Sequence, residues 1–419
     1  MQRIAVFVLV SALSACGSGS RPAVVGVDPA TPAQGCSGSC ADTATNLSIS
    51  DVEGVIARAV AEAQARNVDA TIAVVDRVGN VLGVFRMNGA ATAVTVRSPG
   101  PAADGGLEGV NIVPGTIAAI AKAITGAYLS SEGNAFSSRT ASQIVQEHFN
   151  PQDPLQPGGP LFGVQFSQLP CSDLLNRFSG VTGPGPHRSP LGLSADPGGF
   201  PLYKSGTPVG GVGVISDSFY SFDRNISDRD SDDDELIAVA AMSSLAAPAE
   251  RRANVIAVDG RSLRFADGSE MQLQSDPAAA PSFASIDNIA GVLVTVPGYA
   301  GASISAGTAY SHPASGIRAD TLDFPGLDAF VLVDNLNAER FRPQAGTDGA
   351  QALTAAEVQQ VLASALQIGI RSRTQIRQPA GTPARVSISV VDTNGVVLGI
   401  ARSRDAPVFG IDVSLQKAR

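Results

Sequence analysis

Tryptophan is absent from the 419 residues and aromatic side chains make up only 5% of them, so a sugar or peptide groove lined by rings has little to be built from. Basic residues are in the minority. Lys and Arg number 29 against 38 Asp and Glu, the formal charge is −9, and no basic stripe interrupts the acidic balance. Nucleic acid is therefore not an expected partner, because neutralising phosphates requires concentrated cations. Only three histidines occur, His148, His187 and His312. None has an acid partner in a recognisable catalytic signature, and no G-x-S-x-G elbow is present. Gly210-Gly211-Val212-Gly213 lies in a strand pattern without the following helix that a dinucleotide loop needs. An enzyme of familiar type is not visible.

What is present begins at the N-terminus. Arg3 precedes the apolar run Ile4 to Val10, and Leu13-Ser14-Ala15-Cys16 follows. This is the order of a charged region, an apolar region and small residues at a cleavage site. The run is much shorter than the roughly 20 residues of a membrane-spanning helix. Leu-Ser-Ala-Cys matches the lipobox of bacterial lipoproteins, which makes residues 1–16 a signal peptide and Cys16 the acylated residue. An ordinary secretory peptide with a coincidental cysteine is the alternative. Acyl chains contribute about 0.8 kcal/mol per buried CH2, so several on one residue form a stable membrane anchor. Gly17, where an aspartate would signal inner-membrane retention, points to the outer membrane, facing the periplasm or the surface. Residues 17–45 are rich in Gly, Ser, Pro, Ala and Thr and read as a flexible tether. Cys36 and Cys40 within it are close enough for a local disulfide in an oxidising compartment, with a metal or haem site less favoured for want of a nearby histidine. Cys171 is left over, either buried or free.

The chain carries one unit written twice. Leu47-Ser48-Ile49-Ser50-Asp51-Val52 aligns with Leu353-Thr354-Ala355-Ala356-Glu357-Val358. Each has a hydroxyl residue three before an acid, the pattern of a capping box at a helix start. Apolar stripes follow, Val52, Val55, Ile56, Ala59, Val60 and Ala63 in one copy, and Val358, Val361, Leu362, Ala365 and Leu366 in the other, which predicts an amphipathic helix in each. Thr71 to Arg86 then aligns with Ser387 to Arg402, two β-rich runs joined by Asp-x-x-Gly, so Asp76 and Asp392 read as turn residues of a hairpin. A second helix is expected from Gly115 in the first copy and Gly410 in the second. The register differs by 306 at the first helix, 316 at the hairpin and 295 at the second helix, which places extra loop near Ser372 to Gly381 and around Thr92 to Asn111. The first copy continues through a Pro/Gly-rich insertion, residues 150–197, to a hairpin turning at Ser205-Gly206 and a helix opening at Asp234. The fold class expected is α+β, layered, with a mainly antiparallel sheet and packed helices. The domains are a first unit at 46–250, an intervening β-rich segment at 251–347, and a partial second unit at 348–419. The second copy stops in the first turns of its second helix, so the chain is expected to end inside a domain. Alternatively, the half-repeat docks on the first domain or on another chain.

In this order of features the chain resembles the HbpS/GlcG-like haem-binding family. The resemblance rests on Val74-Val75-Asp76-x-x-Gly79 leading to Arg86-Met87-Asn88-Gly89-Ala90, on the Ala121-Lys122-Ala123 helix, and on the Gly-Gly-x-Pro-x-Tyr to Gly-Gly-Val-Gly-Val hairpin before an acidic helix start. It covers most of residues 47–248 outside the insertions, and again 353–419. It implies a small, often oligomeric α/β protein that binds haem or a related tetrapyrrole. It also implies a histidine just after the turn glycine, able to coordinate iron, but Asn80 and Val396 stand there and neither is a useful axial ligand. The aspartate expected after Arg-Met is Asn88.

The candidate substitutes are His148, after the second-helix region, then Tyr203 and Met87, with Lys122 beside them as a possible contact. His187, in Pro-Gly-Pro-His-Arg, and His312, before a proline, read as loop residues. Asp228, Asp230, Asp232 and Asp234 form an acidic run that lacks the glycine and terminal glutamate of an EF-hand loop and reads as solvated. The function expected is an exported, lipid-anchored protein binding haem or another tetrapyrrole, with a second copy of the chain as a candidate partner. The alternatives are a structural or interaction module that has lost the ligand site, and an enzyme acting on a small molecule or on haem.

Overall fold

Both capping boxes form. In the computed structural model Ser48 and Asp51 close the start of α1 (Ile49–Ala65), and Thr354 and Glu357 close the start of α5 (Ala355–Arg371). The residues described are 45–97, 107–147 and 183–419 except 224, 227, 259 and 321, together with 149, 155, 158–163 and 165–169. Cys16, Cys36, Cys40, Cys171 and His148 lie outside them. Among the described residues no helix is long and apolar enough to cross a membrane.

The first sheet has the order β10-β2-β1-β6-β5. It is built from two hairpins, β1 (Thr71–Asp76) with β2 (Val81–Met87), and β5 (Gly199–Lys204) with β6 (Thr207–Ile215). Ser205 and Gly206 both have positive φ, as a two-residue hairpin turn demands. The hairpins meet where β1 runs antiparallel to β6. Helix α2 (Gly115–Leu129) covers one face of this sheet. A Cβ on Gly211 or Gly213 of β6 would lie 2.2 or 2.1 Å from the carbonyl oxygens of Ala123 and Ala119 in α2, so the Gly-Gly-Val-Gly run exists to let helix and strand backbones approach. On the other face α1 packs with α4 (Asp233–Met242), where Arg58 donates to the Ala241 carbonyl. A short helix, α3 (Ser138–Ile144), lies beside α2. Small sheets β4-β3-β7 (Val113–Pro114, Ala93–Val96, Phe219–Tyr220) and β8-β9 (Ala257–Val258, Arg261–Ser262) finish this part of the molecule, β3 and β7 being parallel. The remaining strand pairs are antiparallel, and the α+β architecture is as expected.

The second sheet has the order β11-β12-β14-β13. Its hairpin, β13 (Ser387–Val391) with β14 (Val397–Arg402), repeats β1 and β2 down to the position of the register shift. Gly399 faces Leu362 and Val358 of α5, as Gly83 faces Val52 and Ile56 of α1. Helix α6 (Gly410–Ala418) follows. At the β14 edge this sheet adds β12 (Phe330–Leu332) and, beyond it, β11 (Ile317–Ala319). No described strand pairs with the outer edge of β13. Val361 and Ile368 on α5 are 48% and 64% exposed, whereas Val55, the counterpart of Val361, is fully buried.

Residues 251–347, expected to be β-rich, contain a repeat of their own. Strand β10 (Gly291–Leu293) pairs with β2 as β12 pairs with β14. Each strand leads to an Ala-Gly-Thr clasp, Ala306-Gly307-Thr308 and Ala345-Gly346-Thr347, 39 residues apart. The Gly307 amide donates to the Leu47 carbonyl and the Gly346 amide to Leu353; Ser305 donates to Leu82 and Gln344 to Leu398. The Thr308 and Thr347 amides donate to the turn carboxylates of Asp76 and Asp392. The first copy thus takes its clasp from chain that follows it, and the second from chain that precedes it.

The two copies are joined by buried ions. Asp405, fully buried, accepts from Arg77 at 2.8 Å, from Arg377 at 2.7 Å and from the Glu132 amide at 2.9 Å. Arg404 pairs with Glu132 at 2.7 Å, and the Arg77 guanidinium stacks 3.7 Å over the Tyr310 ring. Burial disfavours the Asp405 carboxylate, but Arg377, Arg77 and Arg404 outweigh it and hold its pKa below the usual carboxylate range. An acid whose native pKa is depressed contributes stability above its unfolded value, near 3.9, and loses it as pH falls through the native value. Asp405→Asn is therefore expected to cost about 3 kcal/mol at pH 7. Its urea midpoint should converge on that of the wild type as pH drops below about 4; a constant gap across that range would be inconsistent with this network.

Candidate ligand site at the first hairpin turn

The β1–β2 turn is organised by one carboxylate. Asp76 accepts from the amides of Val78 (3.0 Å), Asn80 (2.9 Å) and Thr308 (3.0 Å), and from Asn80 Nδ2 at 2.7 Å. Burial pushes its pKa up, and these donors oppose the rise. Gly79 takes φ +83°, and a Cβ there would stand 2.5 Å from the Tyr128 hydroxyl. That hydroxyl lies between the carbonyls of Val78 and His187, and the His187 amide donates back to Val78 at 2.8 Å. Turn, helix α2 and the loop carrying His187 are thus fixed to one another.

This docking puts the His187 ring against Asn80, with Nε2 2.7 Å from Asn80 Oδ1. The amide orientation follows from charge, since an amide oxygen turned toward the Asp76 carboxylate would be repelled. Asn80 Nδ2 therefore faces Asp76 and Oδ1 faces the imidazole, so the hydrogen sits on Nε2. Beside the pair is a cavity of about 270 Å³, lined chiefly by Asn80, Leu82, His187, Arg188, Tyr299 and Thr308. Gly298, Ser305 and Ala306 at its rim are exposed. The Arg188 guanidinium lies 5.5 Å from the Tyr299 ring centroid, and burial raises the Tyr299 pKa.

No family model and no curated protein matches the chain. Solved structures similar to it cover about half its length. A PduOC:heme complex has 19% identity and a TM-score of 0.29, over 48% of this chain and 95% of that one. The Klebsiella pneumoniae protein ORFY has 18% identity and a TM-score of 0.30, over 49% and 95%. HbpS has 21% identity and a TM-score of 0.27, over 49% and 94%.

The described residues singled out from sequence lie elsewhere. Lys122 is fully buried in α2, bonded to the Val214 carbonyl and paired with Asp196 at 2.6 Å and Asp234 at 2.7 Å. Burial works against its ammonium, but Asp196 and Asp234 raise its pKa nonetheless. The Tyr203 hydroxyl is 2.8 Å from the Ser131 carbonyl and 2.9 Å from that of Asn134. Met87 is buried, with its sulfur 3.3 Å from the Ala70 amide. None of the three lines the cavity. The acidic run is divided among structural duties: Asp230 pairs with the buried Arg139, Asp232 caps α4, and Asp234 holds Lys122. His187, read from sequence as a loop residue, is the imidazole at the turn. Gly79→Ala is expected to cost about 3 kcal/mol, combining left-handed strain with the collision at Tyr128. Gly395→Ala, at the matching turn with φ +78° and only an Arg419 side-chain atom near its Cβ, should cost about 1 kcal/mol. Equal losses in denaturant titrations would show that Tyr128 does not brace the turn.

Proposed function

We propose that the chain is an exported, lipid-anchored protein whose first hairpin turn receives one edge of haem or a related tetrapyrrole. The observation that carries this reading is the imidazole of His187 held beside Asn80, the position where the family resemblance expects a histidine. Cavity and donors suit the group in part. An imidazole, a guanidinium able to pair with a propionate, and a ring face are the residue types such a ligand uses. The volume lies just below the range of whole small-molecule pockets, so the macrocycle would project past the exposed rim. Bound iron would supply an open coordination position, and His187 would have to leave Asn80 to fill it with Nε2. Export and anchoring rest on the order Arg3, Ile4 to Val10 and Leu13-Ser14-Ala15-Cys16, with acylation at Cys16 and a location in the outer membrane. A bacterial envelope protein so tethered would hold its ligand near the membrane.

A second reading, an interaction module that has closed its ligand site, is favoured by the hydrogen bond that occupies Nε2. Titrating the full chain with hemin separates the two. The proposal expects a saturable Soret shift at micromolar hemin, lost in His187→Ala and tightened in Asn80→Ala, where the hydrogen bond to Nε2 is removed. Absence of any saturable shift would defeat it and leave the interaction module. A shift indifferent to His187→Ala would move the ligand role to another residue, His148 first.

A further inference from the structure

Away from the hairpin turn, three carboxylates converge where the β11–β12 connection meets the turn after β12. One oxygen each from Asp320, Asp323 and Glu339 lies within 4.8 Å of the others. Asp320 is fixed by the amides of Leu322 (3.3 Å), Asp323 (3.0 Å) and Phe324 (2.7 Å). Asp323 is held by Arg342 through two bonds, 2.9 Å from Nε and 2.8 Å from Nη2. Glu339 differs from both. Its side chain is only 3% exposed, and neither carboxylate oxygen has a hydrogen-bond partner. Arg342 Nε, 3.8 Å away, is already engaged by Asp323.

A buried carboxylate without donors, facing two more carboxylates, is costly as the protein stands. Burial, Asp323 and Asp320 push Glu339 up to about 7, against the opposing pull of Arg342 and Arg318. A cation removes the difficulty. Oxygen-only donors select a hard ion, and their placement on irregular loops suits the flexible coordination of calcium better than the near-octahedral demand of magnesium. We propose that Asp320, Asp323 and Glu339 form a calcium site, completed by water, that ties the β11–β12 connection to the segment leading into the second Ala-Gly-Thr clasp. The ion would thereby brace the strands that the second hairpin recruits.

The test uses the full chain, stripped with a chelator, and compares CaCl2 with MgCl2 by calorimetry and thermal unfolding. Calcium at about a hundredfold its Kd should raise the midpoint by about 5 °C, with a smaller response to magnesium. Glu339→Gln should lose the calcium response while its ion-free midpoint equals or exceeds that of the wild type, because like-charge repulsion is relieved. No heat and no shift at about 10 mM calcium, above the range of weak extracellular sites, would overturn the proposal. So would an undiminished response in Glu339→Gln, or an ion-free Glu339→Gln less stable than the wild type, which would show that protein groups already hold the carboxylate.

Discussion

The buried carboxylate of Asp76 is the constraint on which the candidate site depends. It gathers a turn, a side-chain amide and a clasp from more than two hundred residues downstream onto one acceptor. Fixing the Asn80 amide decides which way its oxygen faces, and that decides where the hydrogen on His187 sits. The same device recurs at Asp392, which accepts from the amides of Asn394, Val396 and Thr347 and from the Thr347 hydroxyl. There no imidazole completes it, since Val396 replaces Asn80. Two turns of one design therefore differ in chemistry through a single side chain and the loop docked upon it.

Two other buried cations are each answered by several carboxylates. Arg139 meets Asp223, Asp230, Glu235 and Asp267, and Lys122 meets Asp196 and Asp234. Such clusters contribute little net stability compared with apolar packing, but breaking one partner leaves an unanswered buried charge, so they fix one arrangement of loops over others. In this chain they hold the connections around α2 and α4 and the contact between the copies. Arg77 and Arg139 are buried in such contacts.

Local signals made much of the fold legible. The capping boxes at Ser48 and Thr354, the apolar stripes, the Asp-x-x-Gly turns and the Ser205-Gly206 hairpin each act over a few residues, and each forms as its pattern implies apart from Val361, which the second stripe leaves half exposed. The clasps were also written in the sequence, as Val292-Leu293-Val294 and Ala306-Gly307-Thr308 against Val331-Leu332-Val333 and Ala345-Gly346-Thr347. Their order relative to the two copies is reversed, so an alignment of copies passes over them. His187 carried no local signal at all. Its meaning comes from the Tyr128 hydroxyl and the Val78 carbonyl, contacts made at separations of 59 and 109 residues that no periodicity encodes.

The claim at the centre of this account is that Asp76, acting through Asn80, places the hydrogen of His187 on Nε2. Long-range proton–nitrogen correlation spectra of the uniformly labelled full chain at pH 8 report it directly, with His187→Gln assigning the resonance. The account predicts a neutral His187 ring in the Nε2–H form, shifting toward a tautomer mixture in Asn80→Ala. A ring found in the Nδ1–H form, or one unaffected by Asn80→Ala, would contradict it.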